Sequence, residues 1–157
     1  MNSSFTVEKL DNVKICLKDY KVKIKSMLDI ILNMSELKTS KIFSEKISKI
    51  RFDISFCNDE TIHQINKEYR GKNQPTDVIT FSLFADDPNA LIYRCTADLG
   101  QIIISVETAQ KQAKESLEKE ILTLICHGIL HLFGFDHLTK KDYDFVVKIQ
   151  NQVVDKL

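Results

Sequence analysis

Three histidines within eleven residues, in a segment that is otherwise mostly apolar, constrain this chain more than any other feature. The segment reads His127-Gly128-Ile129-Leu130-His131-Leu132-Phe133-Gly134-Phe135-Asp136-His137. His127 and His131 are four apart, so on a helix they stack on one face, one turn from each other. Gly134 can end that helix by taking a positive φ. The chain then turns back and can present His137 as a third ligand. Were all three imidazoles mere core residues, each would leave polar nitrogens to be paired in an apolar setting. Ligation of one cation satisfies them together. Three neutral imidazoles with an open fourth position describe a catalytic zinc site rather than a closed structural one. Imidazole also suits nickel, copper and iron, so zinc is a preference.

The spacing H-x3-H-x2-G-x2-H is that of the metzincin protease helix, with one departure. Gly128 stands where those enzymes carry the glutamate that serves as general base. A metal-dependent peptidase is therefore one rival reading. A non-catalytic module that uses the metal as a staple is another. Bound metal lowers the pKa of its water to about 7, which can suffice without a carboxylate. Asp136, beside a ligand, and Glu120, two turns before His127, are candidate helpers. Either can instead orient a histidine, and Glu120 can simply favour a helix start. Cys126 points about 100° away from His127 and is a poor fourth ligand. His63 stands apart on an expected surface helix and reads as solvated.

Length and composition bound the rest. The 157 residues, 43% hydrophobic and 28% charged, fit one compact α+β domain spanning 1–157. Lys+Arg 22 against Asp+Glu 22 excludes a bulk polycation, and four Gly with two Pro exclude a linker-dominated chain. The apolar run Ile121–Phe135 is too short and too polar to span a bilayer, which needs about 20 apolar residues. Cys16, Cys57, Cys95 and Cys126 are scattered, and no basic start followed by an apolar run opens the chain. They read as reduced core thiols of a cytoplasmic protein. Residues 1–51 hold eleven Lys/Arg and six Asp/Glu, against eleven and sixteen in residues 52–157. That surplus reads as the solvated face of an N-terminal helix, or more sharply as a patch for an anionic partner.

Periodicity places the elements. Val22, Ile24, Met27, Leu28, Ile31, Leu32 and Met34 form an apolar stripe on a helix over Tyr20–Leu37. Ile50, Phe52, Ile54 and Phe56 alternate with polar residues, predicting a strand with one buried face. Asn58 or Asp59 caps a short helix ending at Arg70-Gly71. Strands are expected over Val78–Phe84 and Leu99–Val106, the latter buried on both faces, with a loop over Asp86–Asn89. Helices follow over Val106–Ser116 and Leu117–Phe133. Thr139 with Asp142 opens a last helix by a capping box, with Val146, Val147, Ile149, Val153 and Leu157 facing the core. Strands and helices mix without strict alternation. The expectation is a small mixed sheet with packed helices, and a metal site on a central helix and the loop after it.

A second cluster runs from Asn66 through Tyr69, Arg70, Gly71, Lys72, Pro75, Thr76 and Asp77 to Val78. A helix end, a turn and a strand start bring Arg70 and Thr76 near one edge. Much of this is turn chemistry, but a guanidinium fork there also matches a substrate phosphate. Taken together the two clusters resemble the bacterial YbeY family, metal-dependent endoribonucleases also called rRNA maturation factors. His127 to His137 matches the family string H-G-x-L-H-L-x-G-[FY]-D-H in full. Tyr69 to Phe81 matches its companion Y-R-G-x-x-x-P-T-D-V-[IL]-[ST]-F. Leu99-Gly100 followed by Ile102 is similar to its L-G-D-I strand, with Gln101 in place of the aspartate.

The resemblance covers about Ile50 to His137 and implies more than the residues alone. It implies one zinc-like ion on His127, His131 and His137, with Arg70 and the ligand His127 as catalytic residues. It implies a single-strand-specific phosphodiester hydrolase that acts in ribosomal RNA processing, notably at the 3′ end of the small-subunit RNA, and in ribosome quality control. Zero net charge makes tight unaided RNA binding unfavourable, since affinity rests on phosphate neutralisation. The ribosome or a ribosomal protein is therefore expected to help place the RNA, and no membrane partner is expected.

Overall fold

A computed structural model describes residues 1–87 and 92–157. Its elements in chain order are β1 (Asn2–Lys9), α1 (Leu17–Asn33), β2 (Lys49–Cys57), α2 (Asp59–Arg70), β3 (Val78–Ser82), α3 (Leu83–Asp86), β4 (Ile92–Tyr93), β5 (Thr96–Ser105), α4 (Val106–Gln112), α5 (Leu117–Leu132) and α6 (Lys140–Val154). The sheet order is β1-β2-β5-β3, with β4 also pairing β5. β1, β2 and β5 are mutually parallel, while β3 and β4 run antiparallel to β5. This is the expected α+β arrangement with a mixed sheet.

The alternation in β2 does what it predicts. Ile50, Phe52, Ile54 and Phe56 are all fully buried in the main core. Ile24, Met27, Leu28 and Ile31 of α1, Ile125 and Ile129 of α5, and Val146, Ile149 and Val153 of α6 complete that core. On the opposite face Ile62 of α2 packs with Cys57, Ile79 and Ile103. β5 lies between the two layers, so Ile102, Ile103 and Ile104 are buried although their side chains alternate. The helix caps also follow the sequence: Asn58 Oδ1 accepts from Thr61 N–H, and Thr139 with Asp142 forms the capping box.

Several boundaries differ. No sequence periodicity marks β1, because most of its residues are exposed and its partner lies about 47 positions away. α1 starts three residues early and ends at Asn33, because Met34 takes extended angles and Ser35–Leu37 form a 3-10 turn. Val22 is 63% exposed rather than buried, and sits outward among Lys18, Lys21 and Lys25. The N-terminal positive surplus thus lies partly on the solvent face of α1. β3 stops at Ser82, where α3 begins, so Leu83 and Phe84 are helical and Asp86 ends that turn. Of the rest of the expected loop, Asp87 follows that turn directly, and 88–89 lie outside the described residues. β5 begins at Thr96, and α4 stops at Gln112. Only Cys57 and Cys126 are core thiols. Cys16 caps α1 at the surface. Cys95 shares the exposed β4–β5 turn with Arg94, both at positive φ.

Three local devices aim α5 at the sheet edge. Gly128 packs on β5 so closely that a Cβ would meet Ile102 side-chain atoms at 2.8 Å. Ser40 Oγ donates to Phe133 O at 2.5 Å and pins the end of the helix. Gly134 then takes φ 91, its N–H bonded to His131 O at 2.9 Å and Phe135 N–H to Leu130 O at 3.0 Å. That pair of bonds is a Schellman ending, and it reverses the chain toward His137.

Candidate metal centre

His127 and His131 project from one face of α5, and the Gly134 reversal brings His137 back to them. One ligand atom from each ring lies within 4.8 Å of the others. The Nε2 atoms of His127 and His131 are 2.9 Å apart. Two nitrogens bound at 2.0–2.1 Å on a tetrahedral ion would stand about 3.3 Å apart, within the spread of this group, so the three imidazoles could hold one metal ion. Among the described residues the group has three members, and Cys126 is not one of them. Cys126 is fully buried, and burial pushes its thiol up to about 12.

Each ring is held from outside. Gln150 Oε1, on α6, lies 3.3 Å from His127 Nδ1. Asp136 Oδ1 accepts the His137 backbone N–H at 2.7 Å and stands 3.7 Å from His131 Nδ1. The carboxylate thus fixes the backbone at His137 and stands near His131 without a hydrogen bond to it. Ser82 Oγ donates to His131 O at 3.2 Å, and Tyr143 meets the His137 ring edge-on at 6.0 Å. Burial holds His127 below the ordinary imidazole range, and the His137 ring adds to this against the Gln150 contact. Burial first, then the His127 and His137 rings, push His131 down to about 4. Both imidazoles are therefore neutral at pH 7, the form that ligates metal.

The centre opens into a cleft of about 480 Å³. Arg70, from the C-terminus of α2, lines the same cleft and donates to Thr80 O on β3 at 3.2 Å. Gly71, at φ 66, ends α2 in the left-handed cap expected there and leaves Arg70 at the edge of β3. Asp77, Thr80, Ser82, Asp86 and Asp136 complete the polar wall. Of the candidate helpers, Asp136 is in the cleft and Glu120 is not. Glu120 Oε1 accepts from Gln112 Nε2 at 2.7 Å, and Gln112 Nε2 also reaches Asp77 Oδ2 at 2.8 Å. Thr76 donates to Asp77 Oδ1 at 3.3 Å. Gln101 lies apart from the cleft, donating to Ser55 Oγ. His63 is not freely solvated: its Nε2 faces Asn73 Oδ1 at 2.8 Å.

Sequence reasoning missed Gln150, which follows His127 by 23 positions on another helix. No local signal marks it. Asp77 and Thr80 lie within the Tyr69–Phe81 motif, but nothing in the motif by itself puts them beside the imidazoles.

A family model described as endoribonuclease YbeY matches residues 6–157. The chain belongs to the YbeY family. The match extends well beyond the Ile50–His137 stretch that carried the resemblance. Among the curated YbeY relatives, one from Sulfurihydrogenibium is 41% identical over 124 residues, 76% of this chain and 78% of its own length. One from Bacillus subtilis is 40% identical over 109 residues, 65% of this chain and 69% of its own. Both are named endoribonuclease YbeY. A solution structure of a Thermotoga maritima protein shares the fold, with a TM-score of 0.60 at 23% identity, covering 97% of this chain and 87% of that one. No helix among the described residues is long and apolar enough to cross a membrane.

Proposed function

We propose that residues 1–157 form one metal-dependent endoribonuclease unit that hydrolyses phosphodiester bonds in single-stranded ribosomal RNA. Its place would be in maturation of the small-subunit RNA 3′ end and in ribosome quality control in the cytoplasm. Support comes from the family, whose curated members are named endoribonucleases. The observation that carries the reading is one shared cleft with a guanidinium, Arg70, on one wall and three imidazoles on the other.

His127, His131 and His137 would hold one zinc ion. Bound there, such an ion supplies Lewis-acid polarisation of a phosphodiester oxygen, or hydroxide at neutral pH. Arg70 offers its fork to the phosphate oxygens and stabilises the charge that builds on them. Asp136 accepts the His137 backbone N–H and so helps set the turn that carries this ring. Asp77, Asp86 and Asp136 give the cleft wall an acidic character, which disfavours free RNA and favours substrate delivered by the ribosome or a ribosomal protein.

Peptidase chemistry of the metzincin kind finds no carboxylate at Gly128. That position faces Ile102 on the sheet side of α5, away from the cleft. The deciding experiment is elemental analysis of wild type and His131→Ala, paired with cleavage of a small-subunit RNA precursor and of casein. Wild type is expected to hold one ion per chain and cut RNA only, and the variant to lose both metal and cleavage. Metal-free wild type cutting RNA at full rate overturns the scheme.

A further inference from the structure

Resting on the metal reading above, we propose that Gln150 is the positioning residue that sets the tautomer of His127 and so makes its Nε2 a ligand. A neutral imidazole has one N–H and one lone pair, and only the nitrogen with the lone pair can ligate. Gln150 Oε1 faces His127 Nδ1 at 3.3 Å, and an amide oxygen can only accept. With Gln150 Oε1 accepting there, the proton is held on Nδ1 and the lone pair falls on Nε2, the atom that faces His131 at 2.9 Å. An acceptor on the outer nitrogen of a metal-bound histidine fixes the ring and raises its basicity.

The fold explains why this group comes from α6. His137 is followed two residues later by Thr139, whose capping box starts α6. Val146, Ile149 and Val153 lock the helix against the core that also holds Ile125 and Ile129 of α5. Tyr143 and Gln150 are two turns apart, so they lie on one flank of α6. Tyr143 meets the ring of His137, and Gln150 that of His127. His131 instead has Asp136 of the loop 3.7 Å from its Nδ1. Each imidazole thus has a separate outer contact, and the one on His127 is supplied by the amide.

The test compares Gln150→Leu, which removes the acceptor, with Gln150→Glu, which keeps it and cannot turn a donor inward. Thermal melting checks that each is folded. Long-range nitrogen NMR of the metal-free proteins near pH 8 reads the His127 tautomer directly. Competition with a chromogenic chelator reads zinc affinity. Wild type and Gln150→Glu should show the proton on Nδ1. Gln150→Leu should lose that preference and bind zinc roughly 10–100-fold more weakly. An unchanged tautomer in Gln150→Leu, or equal loss of affinity in both variants, overturns the role. The NMR arm decides it even where no chain binds zinc, an outcome that would instead defeat the metal reading.

Discussion

Gly128 of α5 rests directly on Ile102 of β5, with Cδ1 and Cγ2 of Ile102 each 2.8 Å from where a Cβ would stand. This close approach seats the histidine-bearing helix on the sheet. It also leaves no room for a side chain at the position next to His127.

Gly128→Ala should therefore destabilise the protein. Overpacking a filled core costs about 1–3 kcal/mol, of which the helix propensity of alanine returns about 1. Ile102→Ala, which removes all three crowding atoms, should cost less in the Gly128→Ala background than in wild type. Chemical denaturation of the two single variants and the double measures this. Strictly additive effects would mean the two side chains do not compete for one space.

Arg70→Ala should lower RNA cleavage by about 10²–10³-fold, the usual effect of losing one preorganised donor, with bound metal unchanged. Arg70→Lys should recover little, because a single ammonium cannot reproduce the fork. Parallel metal content and single-turnover rates check both. Equal loss of metal and cleavage would show that Arg70 supports the fold of the centre instead.

Gly134→Ala tests the reversal that delivers His137. There is room for a methyl, since the nearest atom, Ala85 Cβ, would be 3.9 Å away. The penalty comes from φ 91 and should be about 1–2 kcal/mol. Because His137 follows the strained residue, metal affinity should fall with stability. A melt lowered without any change in affinity would show that Asp136 alone is enough to place His137.

Acid stability should depend on Asp59. Burial acts to raise its pKa, but hydrogen bonds from Lys111, Ser105 and Thr108 outweigh it and hold the carboxyl near about 2, below its ordinary 3.8. A depressed folded pKa stabilises the protein above the ordinary value, and this is lost as pH falls toward the folded one. The Asp59 contribution should disappear between about pH 4 and 2. Asp59→Asn should have a flatter stability curve across that window and should be less stable than wild type at neutral pH. Identical acid limbs in denaturation curves would contradict this.

Much of the centre could be read locally. The four-residue spacing of His127 and His131 is a helix property, and Gly134 is where a left-handed residue ends that helix. The alternation of Ile50, Phe52, Ile54 and Phe56 is likewise a short-range pattern. So is the Asn58 cap of α2. β1 escaped because an edge strand buries little and takes its hydrogen bonds from a distant partner. Val22 looked like core because its periodicity is correct, but α1 turns that edge of its stripe to solvent.

The sequence alone determined the donors and their helix, because backbone geometry over one or two turns sets which side chains share a face. Tertiary packing decided the rest. It brought Arg70 from α2 into the histidine cleft, turned Gln150 of α6 onto His127, and left Glu120 bonded to Gln112 outside it. Those outcomes depend on how three helices settle on one sheet. That is governed by the summed fit of buried side chains such as Gly128 on Ile102, which no short window of sequence contains.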